Sequence, residues 1–199
     1  MKRYDIINKL ISYYKYEKYL EIGTQADVCL REIDCDYKVG VDPRPVTHDK
    51  DTCDKFYQMT SDDFFLGNRE RFDIIFIDGL HWHVQAAKDI SNSLAVMNTG
   101  GTIVIHDCNP RDEDSQTSVA FDGDRMIIPH LPTWNGDVWK AWVRYRANRP
   151  DLRMYVVDAD EGCGIIQRGA QELITPTHDY KEFAENKNYY LNLHEDLYL

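Results

Sequence analysis

The sequence predicts an α/β fold built on a doubly wound, mostly parallel sheet with helices on both faces, and three apolar runs carry that prediction. KYLEIGT (18–24), RFDIIFIDGLHWH (71–83) and GTIVIHDCNP (101–110) each begin as strand-like apolar segments and empty into polar residues. In open α/β sheets ligands bind beyond the carboxyl ends of the strands, so these three ends aim polar groups at one crevice. Between them lie segments with apolar residues three or four apart, the spacing of helices that cover a sheet.

Taken in order, Tyr4 to Tyr14 sets Ile6, Ile7, Leu10 and Ile11 at helical spacing, ahead of a strand from Lys18 to Gly23. A helix near Gln25 to Ile33 leads to the strand YKVGVDP, which ends at Asp42; Pro43 and Pro45 then preclude an immediate helix. Tyr57 to Thr60 reads as a third strand and Ser61 as the cap of a short helix, with Asp62 and Asp63 favourably placed in its first turn. The fourth strand runs from Phe72 to Asp78. Val84, Ala87, Ile90 and Leu94 mark a helix over 82–96, closed by Asn98 to Gly101 before a fifth strand, Thr102 to Asp107. Cys108 to Thr133 is one long irregular stretch punctuated by Pro110, Gly123, Pro129 and Pro132, the length of a lid, a binding loop or a disordered segment. A helix over 137–148 follows. Strands at 152–157 and 164–168, joined by DADEG, form a hairpin, and a terminal helix is expected within 171–199.

Bulk properties narrow the function. A chain of 199 residues, 43% hydrophobic, suits a single domain: an N-terminal helix (1–17), a core (18–168) and a C-terminal tail (169–199). No stretch approaches the length of a membrane span. The N-terminus has no continuous apolar run, since Asp5, Asn8 and Lys9 interrupt it, so no secretion signal is expected. Cys29, Cys35, Cys53, Cys108 and Cys163 form no CxxC pair, which suits reduced thiols in the cytoplasm. A net charge of −11 repels polyphosphate backbones and makes nucleic acid a poor substrate class.

Glu21, Ile22 and Gly23 follow a strand and precede a helix, the place where a glycine lets the backbone turn beneath a ligand. A pyrophosphate loop would continue G-x-G-x-x-G, but Thr24, Gln25, Ala26, Asp27 and Val28 follow, with no further glycine. A ligand with an adenosine and an amino-acid portion, without phosphates, fits better. Asp42, at the end of the second strand, stands where a carboxylate accepts both ribose hydroxyls, and Asp62 stands where the adenine would lie. Each also reads simply as a turn or helix-start acid.

These features, with the strings TSDDFF, FDIIFIDGLH, DISNSL, GGTIVIHDCNP and WNGDVWKAW, make the chain resemble the class I S-adenosylmethionine-dependent methyltransferases. More narrowly it resembles a group of small bacterial members of mostly unassigned substrate. The resemblance covers about residues 18 to 168 and implies a Rossmann-like fold with a mostly parallel seven-stranded sheet. It implies S-adenosylmethionine as cofactor, held by Glu21, Gly23, Thr24, Asp42, Asp62 and Asp78. The departure is Gln25, which fills the second glycine of the usual E/D-x-G-x-G.

Methyl transfer is an in-line displacement, so the protein chiefly positions the acceptor, takes its proton and excludes water. His81, three residues past Asp78, is the first candidate for general base, at an offset where the similar catechol-type O-methyltransferases carry a basic residue; His106 competes, and Asp78 supports either. The other reading has His81 capping a helix or facing solvent, with Trp82 and His83 as an aromatic wall. Asp78, Asp107 and Asn109 at adjacent strand ends suit a hard divalent cation such as Mg²⁺; otherwise the two acids orient loops and cofactor. Asn135 is read as a helix cap and Trp139 and Trp142 as core. Trp134, with Arg111, Asp112 and Gln116, suits a small polar ring-shaped acceptor such as a sugar or glycan precursor. No N-P-P-Y follows the fourth strand, so oxygen is favoured over nitrogen as the methylated atom. A metal-dependent hydrolase using Asp78, His81, His83 and Asp107, and a cofactor-binding module without catalysis, are the alternatives.

Overall fold

Period-two burial along the strands creates two cores, one on each face of a single sheet. In β4 (Phe72–Ile77), Ile75 and Ile77 join one apolar cluster while Ile74 and Phe76 join the other. The computed structural model describes every residue except 124 and 132, so Pro132 of the long connecting stretch lies outside the described residues.

The elements run α1 (Arg3–Tyr14), β1 (Lys18–Ile22), α2 (Val28–Glu32), β2 (Tyr37–Val41), β3 (Lys55–Tyr57), α3 (Ser61–Gly67), β4, α4 (His83–Val96) and β5 (Met97–Ile105). Then follow β6 (Ala120–Asp122), β7 (Arg125–Ile127), α5 (Val138–Asn148), β8 (Leu152–Val157), β9 (Cys163–Arg168), α6 (Tyr180–Glu185), α7 (Lys187–Leu191) and β10 (Leu193–His194). The main sheet has eight strands in the order β10-β8-β9-β5-β4-β1-β2-β3. Every neighbouring pair is parallel except those made by β9, which is antiparallel to β5 and β8. The chain therefore reverses order between β1 and β4, which places a crevice at their carboxyl ends. Ile6, Ile7, Leu10 and Ile11 of α1 pack with α2 on one face, while α4, α5, α6 and α7 cover the other.

Several boundaries differ from the sequence reading, each for a local reason. The expected seven strands become eight because β10 pairs with Val156 and Val157 of β8. The tail holds two short helices and this strand instead of one helix. The third strand lies at 55–57, where it pairs with Val39 to Val41, and Thr60, not Ser61, caps α3 by accepting the Asp63 N–H. Met97 opens β5 directly after α4, so 98–101 belongs to the strand. Val84 is exposed; the buried residues of α4 are Ala86, Ala87, Asp89, Ile90, Ser93 and Leu94. The 108–133 stretch contains the β6–β7 hairpin.

Trp139 has no exposed surface and stacks on Phe183 of α6 with ring centroids 4.3 Å apart, which ties the tail to the core. Trp139→Ala should cost roughly 3–5 kcal/mol, the range for truncating a buried large aromatic. Urea denaturation measures this, and a loss below about 1 kcal/mol would show that the tail is not anchored there.

Candidate functional site

At the end of β1 the backbone passes so close beneath β4 that only glycine fits. Gly23 has φ +88°, and a Cβ there would lie 2.1 Å from the Asp78 carbonyl oxygen. Two residues on, Gln25 takes the left-handed conformation (φ 49°) at the position of the missing second glycine. Asp42 holds this loop: its Oδ2 accepts the Gln25 N–H at 2.8 Å and its Oδ1 accepts the Arg44 N–H at 2.7 Å. The carboxylate thus aligns the loops after β1 and β2, and each oxygen retains a further lone pair.

Three other expected cofactor residues are placed as follows. Thr24 is buried with its hydroxyl unpartnered. Glu21 is buried beneath the loop, accepts the Tyr19 hydroxyl, and is pushed up to about 8 by burial. Asp62 turns to α4, bonded by Lys88 and Gln85, and Lys88 lowers its pKa. One arrangement had no sequence signal: Asp27, fully buried beside the loop, takes the His48 Nδ1 at 2.9 Å, and the His48 ring stacks on Phe56.

At the ends of β4 and β5 the chain gathers carboxylates and imidazoles. His81 Nε2 lies 3.2 Å from Asp107 Oδ2 and 3.5 Å from Asp78 Oδ1. His106, buried behind them, has its Nδ1 2.8 Å from Asp107 Oδ2 and 3.4 Å from Asp78 Oδ1. These are charge contacts without hydrogen-bond alignment, since both His106 nitrogens and Asp107 Oδ2 are buried without a hydrogen-bond partner. Two residues that sequence reasoning missed complete the group. Arg3 from α1 donates through Nη1 to Asp78 at 2.5 Å and through Nε to Asp160 at 2.7 Å, and Asp160 sits in the β8–β9 turn. Neither is near the crevice in sequence, so neither left a local signal.

The segment Trp134 to Asp137 clamps this group from outside. The Trp134 carbonyl accepts His81 Nδ1 at 2.8 Å and its ring stacks on the imidazole; Asn135 Nδ2 donates to Asp107 Oδ1 at 2.9 Å; Asp137 accepts both the backbone N–H and the Nδ1 of His83. Gly136 (φ +60°) makes the approach possible, because a Cβ there would sit 1.8 Å from the His81 carbonyl oxygen. Asn135 therefore serves Asp107 and does not cap α5, whose cap is Asp137. Of the expected acceptor contacts, Arg111 pairs with Glu161, Asp112 with Ser115, and Gln116 accepts from Trp139.

Asp78, His81 and Asp107 each offer a ligand atom, all within 4.8 Å of one another, so this trio could hold a metal ion. Asn109, the third ligand expected from sequence, instead donates to Asp158 at 2.9 Å. Asp107, with φ 63°, turns the backbone so that Asn109 follows the β8–β9 turn, its N–H bonded to the Glu161 carbonyl.

Charge sets the protonation of this group. Burial alone would lower the His81 and His106 pKa values, but the facing Asp107 and Asp78 outweigh it and raise them to about 9 and about 10. Burial opposes ionisation of Asp160, yet Arg3 holds it down at about 2; Asp78 is likewise depressed by the imidazoles despite burial. In the absence of ligand both histidines are shifted toward the protonated form.

The imidazoles' contribution to stability is complete below their ordinary pKa of 6.5 and disappears as pH rises through about 9 to 10. The melting temperature of the protein free of added cation and cofactor should fall between pH 6.5 and 10. His106→Gln should flatten that fall, and an unaltered slope would place the titrating groups elsewhere.

The comparisons with known proteins agree with this architecture. Residues 20–108 match the family model described as a methyltransferase domain. Comparison with curated proteins gives no match. Among solved structures, the chain is similar to the O-methyltransferase TomG of Streptomyces achromogenes in complex with S-adenosylmethionine (12% identity, TM-score 0.58, 84% of this chain and 80% of that one). It is similar also to an O-methyltransferase of Bacillus cereus in complex with S-adenosylhomocysteine (14%, 0.56, 85% and 80%). The N-methyltransferase NodS of Bradyrhizobium japonicum shares the fold as well (18%, 0.50, 85% and 95%). Residues 20–108 thus match a methyltransferase-domain model, and over most of its length the chain shares the fold of solved S-adenosylmethionine-dependent methyltransferases.

Proposed function

We propose that the chain methylates an oxygen of a small polar acceptor, a sugar or glycan precursor being the class we favour, with the aid of a hard divalent cation. The observation that carries the reading is the convergence of Asp78, His81 and Asp107 at the ends of β4 and β5. The oxygen-rich donor set fits Mg²⁺ or Mn²⁺. Asp107 Oδ2 is buried and unpartnered, and the Trp134 carbonyl fixes the Nδ1 proton of His81 so that Nε2 faces the acids. When bound, such a cation lowers the pKa of an acceptor hydroxyl and orients it. His81 then serves as a ligand through Nε2, and Asn135 holds Asp107 in place. NodS shows that the fold alone does not choose between oxygen and nitrogen; the cation trio and the O-methyltransferase neighbours favour oxygen.

At the cofactor end, Asp42 would accept the ribose hydroxyls while keeping its backbone bonds, and the turn at Gly23 and Thr24 would receive the amino-acid portion. Glu21, neutral when unliganded, would ionise beside the cofactor ammonium. Trp134, stacked on His81, offers a flat wall to the acceptor. Five free cysteines and the absence, among the described residues, of a helix long and apolar enough to cross a membrane accord with a cytoplasmic location.

Calorimetry with S-adenosylhomocysteine tests the cofactor assignment. Asp42→Ala should weaken binding about tenfold or more, since it removes the acceptor of two hydroxyls and frees the Gln25 loop. Unchanged affinity in a folded variant would refute it.

For the cation, Mn²⁺ titration should show saturable binding that is reduced about tenfold or more in His81→Ala and in Asp107→Asn, with S-adenosylhomocysteine affinity preserved. Full turnover on a sugar panel in chelator, with no Mn²⁺ uptake, would reject the cation and leave methyl transfer standing.

A further inference from the structure

Far from the crevice, the last turn of α5 buries a cation that has no acid beside it. Arg146 is only 7% exposed; its Nη1 and Nη2 donate to the carbonyls of Met154 and Tyr189 at 3.3 and 3.5 Å, and its Nε is buried without a partner. It lines a cavity of about 260 Å³ with Arg153, Gln171, Glu172 and Asn192. Arg153 donates to Gln167 and lies over the rings of Tyr155 and Tyr198. Among the described residues no carboxylate pairs with either guanidinium, although the chain carries a net charge of −11. Glu172, exposed at the rim, is the one acidic group lining the space.

A buried charge without a counter-charge is costly, and two long carbonyl contacts with a bare Nε satisfy Arg146 only in part. Arg146 and Arg153 together line a space of ligand size, and guanidinium groups are the side chains best suited to an oxyanion. The place is separate from the catalytic groups. Arg153 stands opposite Gln167, and Gln167 opposite Thr102, four residues before His106 along β5, or about 13 Å at the usual strand rise.

We propose that this cavity, between α5, β8 and the C-terminal segment, binds a small oxyanion, a phosphate or carboxylate group, through Arg146 and Arg153. Arg146 supplies the buried charge and Arg153 a second guanidinium at the wall. Because Gln171 and Asn192 line the same space, the bound anion ties the segment after β9 and the end of α7 to α5.

The test is calorimetric titration of the full chain with inorganic phosphate and, separately, acetate, at ionic strength held constant with chloride. Saturable binding of at least one anion is expected, and the anion that binds names the chemical class. Arg146→Met and Arg153→Gln should each weaken it about tenfold or more, as loss of a charge-assisted contact does, with S-adenosylhomocysteine affinity unchanged. Arg153 is only half-buried, so its variant remains informative if Arg146→Met does not fold. Absence of binding for both anions in the unaltered protein, or equal affinity in Arg153→Gln, would overturn the site.

Discussion

The mutual repulsion of three carboxylates is the constraint around which this molecule is arranged. Parallel strands end on the same side of a sheet, so acids at the ends of β4 and β5 are brought together by topology, and the β8–β9 turn adds Asp160. Like charges about 4 Å apart at a partly buried site repel by about 4 kcal/mol, a large fraction of a domain's stability. Two imidazoles, the Arg3 guanidinium and the Lys2 ammonium supply the compensating charge. That explains why α1, which could have packed anywhere on its face, has its N-terminal turn pinned over the strand ends: Asp160 accepts both the backbone N–H and the side chain of Arg3.

The same constraint accounts for the Trp134–Asp137 segment. Imidazoles lodged among carboxylates could rotate toward any of them, and His81 is held because its Nδ1 is engaged by a backbone carbonyl that cannot titrate. Asn135 does the corresponding service for Asp107, leaving only Oδ2 facing the histidines. Gly136 is needed because the two backbones nearly touch.

Most of the sheet was legible in the sequence because β1, β4 and β5 are long apolar runs with a change of polarity at their ends, and burial on both faces enforces that pattern. The positions of Asp42, Asp78 and Asp107 at the sheet's edge were legible for the same reason: a strand end fixes where the residues just past it go. Two-residue β10 and the short β6–β7 hairpin have too few positions to show a period. Thr60 displaced Ser61 as the cap of α3 because two adjacent hydroxyl residues offer equal capping chemistry. Arg3, Asp160 and Asn135 act across the fold, through contacts 75 or more residues apart for Arg3 and 28 apart for Asn135, which no local pattern records. Asn109 was misplaced because spacing along a strand end was extended one residue past Asp107, whose positive φ of 63° turns the chain aside.

The proposed divalent cation would be an alternative to protonated histidines as the answer to one electrostatic problem. Without a cation, Asp78, Asp107 and Asp160 face His81, His106, Arg3 and Lys2. Coordination through His81 Nε2 requires that nitrogen to lose its proton, so a cation on the trio would displace positive charge already present instead of adding to it. His106, buried behind the trio and aligned with no hydrogen-bond acceptor, can then remain protonated or release its proton without moving. Trp134, Asn135 and Arg3 hold these groups from outside the point where the charges meet, which is where the proposed cation would sit.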